Sequence, residues 1–196
     1  MVRRMLRRRR TSRALMRRFK TPSSTKYFRY KVDILASLAK IAGDIIYGWT
    51  GSATNIYDIN TQLSNDANFN QFCKQFSYVR IKGISFLANP DIRNQSLSAS
   101  GFVGVSCWPR GFTNSFGTWD KNIDNPFFKI LNPTSNTYKY CNLLGGDNDW
   151  KSTGSGQYTT AQLFAITNFL GSVAQTDAPQ WLVKVSVHVV FKTPVQ

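Results

Sequence analysis

The chain has 196 residues, enough for one domain of ordinary size with a short appendage and too few for two separate hydrophobic cores. It carries 25 Lys and Arg against 10 acidic residues, which gives a formal net charge of +15 at pH 7. A charge of this sign and size predicts a polyanion as the main partner, and it excludes few folds but many partners.

The residue types that catalysis and metal binding need are scarce. All ten acidic residues are Asp, His188 is the single His, and the three Cys, at positions 73, 107 and 141, form no CxxC pair. The sequence therefore predicts neither a zinc site nor a disulfide framework. We expect no catalytic residue, no metal and no cofactor, and we interpret the Cys residues as small buried hydrophobic side chains.

The amino-terminal region does not have the pattern of a targeting or membrane segment. Its basic character continues to Lys20 without the apolar run of a signal peptide, so we expect no secretion signal. The most apolar early stretch, residues 32–49, contains Asp33, Lys40 and Asp44 and falls short of the roughly 18 uncharged apolar residues of a membrane span. We expect no insertion into a membrane.

The positive charge is concentrated in an amino-terminal arm, which we place at residues 1–25. Residues 1–31 hold 13 Lys and Arg and no acid, whereas residues 32–196 hold 12 bases and 10 acids and are close to neutral. Guanidinium groups fork onto phosphate oxygens and keep their charge at physiological pH, so the arm is predicted to bind nucleic acid. The predicted binding residues are Arg3, Arg4, Arg7, Arg8, Arg9, Arg10, Arg13, Arg17, Arg18 and Lys20.

The sequence leaves open whether the arm has a further function and whether it is disordered or helical. The same exposed Arg run fits a nuclear localisation signal. Self-repulsion favours a disordered arm, but Leu15, Met16 and Phe19 would share one face of a helix capped by Ser12. That face is too small for strong membrane binding, so a helix here would pack under a shell or on nucleic acid. A solvated tail without a specific role is the alternative.

Beyond a turn-forming linker at residues 21–25, apolar and polar residues alternate with the period of a β-strand. The alternation is longest near the carboxyl terminus, where it predicts a strand with one apolar and one polar face. The apolar face carries Trp181, Val183, Val185, Val187, Val189 and Phe191. The polar face carries Lys184, Ser186, His188 and Lys192.

Five further strands and one helix are predicted. The strands lie at residues 27–35, 78–87, 101–108, 137–143 and 162–170. The helix spans Asp66 to Gln75, because Phe69, Phe72 and Cys73 recur at helical spacing. No repeat and no alternation of strands with helices is visible. We therefore predict an all-β fold, with residues 26–196 forming a single eight-stranded jelly-roll β-sandwich with long loops.

Three features together resemble the small capsid proteins of circoviruses and related viruses with circular single-stranded DNA genomes. The first is the Arg-rich arm in front of the strands. The second is the segment from Phe76 to Phe86 and on to Pro90, in which a Tyr and an Arg-Ile pair lead into alternating apolar residues. The third is the closing strand from Trp181 to Phe191.

The resemblance implies a jelly-roll shell subunit that self-assembles, with about 60 copies in a T=1 icosahedral shell. The arm would turn inward and package single-stranded DNA. The protein would be found in the virion and, during infection, in the host nucleus, which it would reach through host nuclear import receptors.

Aromatic residues near the arm and near the long connections suggest two kinds of contact. Five of them, in segments that otherwise look solvent-facing, are predicted to lie between subunits, with folding over their own core as the alternative. They are Trp108, Phe112, Phe116, Trp119 and Trp150. Four aromatics near the arm could stack on bases: Phe19, Tyr27, Phe28 and Tyr30. For Phe28 and Tyr30, the alternation of the predicted strand favours packing in the core.

Three rival functions fit parts of the sequence. A satellite-virus capsid protein resembles this chain in length, arm and fold but packages RNA, and phosphate contacts do not distinguish RNA from DNA. A monomeric basic nucleic-acid-binding protein should also carry base on its globular surface, whereas residues 32–196 are nearly neutral. A nuclease would need clustered carboxylates, and apart from Asp147 and Asp149 the Asp residues are scattered.

Overall fold

The computed structural model describes residues 27–40, 47–49, 55–91, 101–108, 122, 125–143, 148–169 and 180–194. These residues form two antiparallel sheets and two short helices. The predicted arm lies outside the described residues, as do Phe112, Phe116 and Trp119.

Four long strands form the body of the larger sheet. They are β1 (Tyr27–Lys40), β4 (Phe76–Pro90), β7 (Thr137–Asn142) and β10 (Trp181–Pro194), and they pair in the order β1-β10-β4-β7. Two short strands extend this sheet. They are β2 (Tyr47–Trp49), which pairs with β1, and β8 (Lys151–Ser152), which pairs with β4.

The smaller sheet has the order β3-β9-β5-β6. Its strands are β3 (Ile56–Asp58), β5 (Gly101–Trp108), β6 (Phe128–Ile130) and β9 (Gln162–Phe169). The eight principal strands thus divide between two sheets of four, with the connectivity of a jelly roll. The predicted all-β jelly-roll sandwich is confirmed, and all six predicted strands are present.

Two helices connect β3 to β4, and each begins at an Asp that caps it. In α1 (Ile59–Asn65) the Asp58 carboxylate accepts a hydrogen bond from a backbone N–H of the first turn at 2.7 Å, and Asp66 does the same at 2.6 Å for α2 (Ala67–Gln75). The second helix is the one predicted, and it buries Phe69. The first was not predicted.

The hydrophobic core lies between the sheets. All six residues predicted on the apolar face of β10 are buried, with exposed fractions of 2% or less. Removing a side chain of this size from water contributes about 1.5–3 kcal/mol each. Cys107 and Cys141 are buried as predicted, whereas Cys73 on α2 is half-buried.

A β-bulge interrupts the alternation of β4. Val189 of β10 pairs with Ile81 whereas His188 pairs with Gly83, so Lys82 is an extra residue between the two pairs. The extra residue exchanges the two faces of β4 between odd- and even-numbered residues. Odd-numbered residues such as Ile81 face the core before it, and even-numbered residues such as Phe86 face the core after it. This shift explains why the sequence alternates less strictly here, and it leaves Lys82 exposed.

Candidate nucleic-acid interface

The outward side chains of the larger sheet form rows across β1, β10 and β4. Counted from the amino-terminal end of β1, the first three rows are Tyr27, Lys192 and Tyr78, then Arg29, Val190 and Arg80, then Lys31, His188 and Gly83. We call these rows, together with Lys82 of the bulge, the basic band. The band holds five cationic side chains and no acid. They are Arg29, Lys31, Arg80, Lys82 and Lys192.

The basic band ends at the fourth row, where Asp33 neutralises part of the positive charge around it. Its carboxylate lies 2.7 Å from the Lys184 ammonium and 3.3 Å from that of Lys31, and it accepts a hydrogen bond from the Ser186 hydroxyl at 2.6 Å. Burial raises the pKa of Asp33, but the hydrogen bonds from Lys184, Ser186 and Lys31 outweigh burial and lower the pKa to about 2. Asp33 is therefore ionised at neutral pH and offsets the charge of its neighbours.

Aromatic rings and cations alternate at the end of the band where β1 begins. The Trp150 ring stacks on Tyr27 with centroids 5.8 Å apart. The Lys192 ammonium lies 4.4 Å from the Trp150 centroid and 5.1 Å from that of Tyr78, and the Arg80 guanidinium lies 5.2 Å from Trp150. These cation–π contacts fix the cations in place, while Tyr27 is still 60% exposed.

An open groove of about 460 Å³ lies at the other end of the band, and its polar lining comes from four strands, β1, β4, β7 and β10. These lining residues are Arg29, Lys31, Lys82, Tyr140 and His188. The edge of the Tyr140 ring meets the His188 ring with centroids 5.3 Å apart. The volume falls within the range of about 300–1,000 Å³ that is typical of small-molecule sites.

The His188 ring is held as a neutral group. Burial lowers its pKa, and the Lys31 charge lowers the pKa further, against an opposing effect of Asp33. Its Nε2 lies 3.2 Å from the Ser85 hydroxyl. In the groove His188 is thus a stacking and hydrogen-bonding group near pH 7, and the lysines supply the charge.

Tyr140 lies over the sheet because position 83 is a glycine. A Cβ on Gly83 would overlap the Tyr140 hydroxyl and would lie 2.7 Å from its Cζ atom and 2.8 Å from the Cys141 carbonyl oxygen. The missing side chain lets the ring reach across β4 towards His188. The bulge and this glycine together shape the groove.

The aromatics named from the sequence occupy different places. Trp108 is half-buried, and its indole N–H donates to Asn122 Oδ1 at 3.0 Å, so both Trp108 and Trp150 contact their own chain. Phe28 and Tyr30 pack on Phe72 of α2, with centroids 4.9 and 4.6 Å away. Of the four aromatics near the arm, Tyr27 is the one that the structure places on the basic band. Phe19 lies outside the described residues.

Sequence reasoning missed the band because it summed the charge of residues 32–196. Of the ten acids in the chain, Asp33 alone falls within the four long strands of the larger sheet. The available signal was the set of polar-face positions in three predicted strands, where every charged residue except Asp33 is a base.

The described ranges contain neither a cluster of metal ligands nor a membrane-spanning helix. No group of three or more His, Cys or acidic residues there is placed to hold a metal ion. None of the helices in the described part of the chain is long and apolar enough to cross a membrane.

Comparisons with known proteins identify the fold. No protein-family model and no curated protein matches the sequence. Among solved structures, that of T=3 Penaeus vannamei nodavirus has a TM-score of 0.60 at 13% identity, covering 90% of this chain and 57% of that chain. Cocksfoot mottle virus gives 0.57 at 10% identity, with 87% and 97% covered. Desmodium yellow mottle tymovirus gives 0.56 at 11% identity, with 90% and 92% covered.

The chain therefore has the jelly-roll fold of viral capsid proteins. At these identities the similarity establishes the fold alone. None of the three viruses is a circovirus, so the resemblance is supported at the level of viral capsid proteins and not at the level of that family.

Proposed function

We propose that this protein is the capsid subunit of a small virus, which assembles into an icosahedral shell and packages a single-stranded nucleic-acid genome. Its role is structural and not enzymatic. One observation carries the proposal: a jelly roll of the viral capsid type is joined, at the first residue of β1, to a segment with ten Lys and Arg and no acid in its first 20 residues. Residues 26–196 would be the shell domain, and residues 1–25 the packaging arm.

Packaging by the arm would be electrostatic. Ten positive charges neutralise phosphates and release their counterions, and about 60 arms would together neutralise on the order of 600 phosphates. Such contacts carry no sequence information, so the shell would accept its genome mainly by charge and length.

Exposed apolar side chains support contacts between subunits. Leu35 on β1 is 70% exposed and Leu182 on the neighbouring β10 is 50% exposed, both beyond the basic band on the outer face of the larger sheet. We propose that these two leucines are covered by a second copy of the chain in the shell. Phe112, Phe116 and Trp119, which lie outside the described residues, are proposed to contribute in the same way.

The genome type and shell geometry are the finer part of the proposal. The circovirus resemblance favours single-stranded DNA, a T=1 shell of about 60 copies and nuclear import through the arm. The viruses compared above are RNA viruses, which favours a satellite-like capsid with RNA. Digestion of the nucleic acid extracted from particles with DNase and with RNase separates these two versions.

A monomeric nucleic-acid-binding protein is the second candidate, because the basic band places base on the globular surface. Size exclusion with light scattering tests the two candidates directly. Full-length protein and a variant lacking residues 1–20 are compared, each with its ratio of absorbance at 260 and 280 nm. We expect megadalton particles from both and nucleic acid in the full-length particles alone. A monomer or dimer in both, across salt and pH, would favour the second candidate.

A further inference from the structure

We propose that the basic band is a second binding site for single-stranded nucleic acid, separate from the arm. Its cations would hold consecutive phosphates, and the groove beside Tyr140 and His188 would receive a base. The inference rests on the proposed function in one respect: arm and band would bind the same packaged strand.

The charge of the band is the first support. Five cations lie in three adjacent rows, and the nearest acid in these strands, Asp33, is already engaged by Lys31 and Lys184. A surface of one sign attracts a polyanion. The arm is joined to this same end of the sheet, since β1 begins at Tyr27 in the first row. A nucleic-acid strand bound by the arm would therefore lie next to the basic band.

The aromatic groups of the band are the second support. A site for phosphate alone needs cations, whereas this surface also carries exposed rings at both ends: Tyr27 and Tyr78 at one and Tyr140 at the other. Aromatic rings interleaved with cations bind unpaired bases by stacking. In a duplex the base faces are hidden, so this composition favours a single strand.

The groove between the cations is the third support. Lys82 and Lys31 flank a cavity whose remaining polar lining includes the half-exposed Tyr140 and the neutral His188. The groove thus offers cations to a phosphate and rings to its base within one small volume. The bulge at Lys82 and the absent side chain of Gly83 shape this groove.

The test is filter binding of a single-stranded oligonucleotide to full-length protein across a salt series. The variant Arg29→Gln with Lys82→Gln removes two exposed cations of the band. The charge-matched control, Lys74→Gln with Lys129→Gln, removes two exposed cations from α2 and from the smaller sheet. Since each phosphate contact on a single strand contributes about 0.7 to the slope of log affinity against log salt, we expect the band variant to lower that slope by about 1.4 and the control to leave it unchanged.

A second variant tests the base contact. Tyr140→Leu should weaken oligonucleotide binding about tenfold while leaving the affinity for inorganic polyphosphate unchanged, because stacking needs a base. Tyr140→Phe should restore oligonucleotide binding, which a merely misfolded protein would not allow.

The outcomes separate this inference from the proposed function. Equal losses in the band variant and its control would overturn the band as a site, even if particles form normally by light scattering. A band effect in a protein that never assembles would instead overturn the capsid proposal and keep the site. Equal weakening of polyphosphate and oligonucleotide by Tyr140→Leu would overturn the base contact.

Discussion

The outer face of the larger sheet has two halves that differ in chemistry although they share the same strands. The half nearest the start of β1 carries five cations and exposed aromatic rings. The half beyond Asp33 carries exposed leucines, and its one cationic row position, Lys184, is paired with Asp33. One sheet face thus presents a basic surface and an apolar surface side by side.

This difference shows why net charge describes the shell domain poorly. Residues 32–196 are nearly neutral in sum, yet the acids of the described residues are separated from the bases of the large sheet: Asp33 alone lies in its long strands, whereas Asp58 and Asp66 cap helices. This separation leaves one part of the outer face basic and another part apolar.

The largest expected effect comes from the apolar half. Leu35→Asp with Leu182→Asp would place charge in every repeat of a subunit contact, so we expect particles to disappear in light scattering. The unfolding free energy of the subunit should change by no more than about 0.5 kcal/mol, because both sites are exposed. Asn68→Asp with Gln71→Asp, at exposed positions on α2, is the control. Normal particles from the leucine variant would remove these residues from the interface.

Gly83→Ala should have the next largest effect, on both stability and the groove. The added Cβ would collide with the Tyr140 ring and with backbone, at an expected cost of about 1–3 kcal/mol in unfolding free energy. In Gly154→Ala the nearest atom lies at 3.8 Å, so the control should change little. Urea denaturation of both variants is the measurement, and equal stabilities would contradict the packing described for Tyr140.

Asp33→Asn tests the boundary between the halves. The pKa of Asp33 is lowered from 3.8 to about 2 in the folded protein, so its contribution to stability is present above about pH 4 and is lost as the pH falls towards 2. Because the side chain is about one-third exposed, we expect a loss of only about 1 kcal/mol at pH 7. Urea denaturation of both proteins should show the full difference at pH 7 and a much smaller one at pH 2. A constant difference would contradict the ion-pair assignment.

His188→Gln should have the smallest effect, on the pH dependence of binding. The groups around His188 are Lys31 and Asp33 from β1, Lys82 and Ser85 from β4, and Tyr140 from β7. A bound phosphate would raise the lowered pKa of His188, so oligonucleotide binding should tighten a few-fold between pH 7 and pH 5.5. The Gln variant should lose this gain. An unchanged pH profile in the variant would show that His188 does not face the phosphate.

Local pattern predicted the long elements of the fold. The alternation from Trp181 to Lys192 identified β10 because a half-buried strand repeats every two residues, and the spacing from Phe69 to Cys73 identified α2. Strands of two or three residues, such as β3 and β8, are too short to show a period. The parity shift at Lys82 is visible in the sequence only as a less strict alternation, since a bulge is defined by the partner strand.

The candidate site depended on information that a local pattern does not contain. Arg29 and Arg80 lie far apart in the sequence, and only the register of β1, β10 and β4 places them in one row. The groove likewise needs Tyr140 from a fourth strand beside Gly83. Composition predicted a nucleic-acid partner, and strand pairing located a second surface for it.

Cryo-electron microscopy of the purified particle tests the central claim most directly. A closed icosahedral shell is expected, with Arg29, Lys82 and Lys192 on the inner surface under density for nucleic acid, and with Leu35 and Leu182 covered by neighbouring subunits. A shell with the basic band on its outer, solvent-facing surface, or protein that forms no closed particle, would contradict the account.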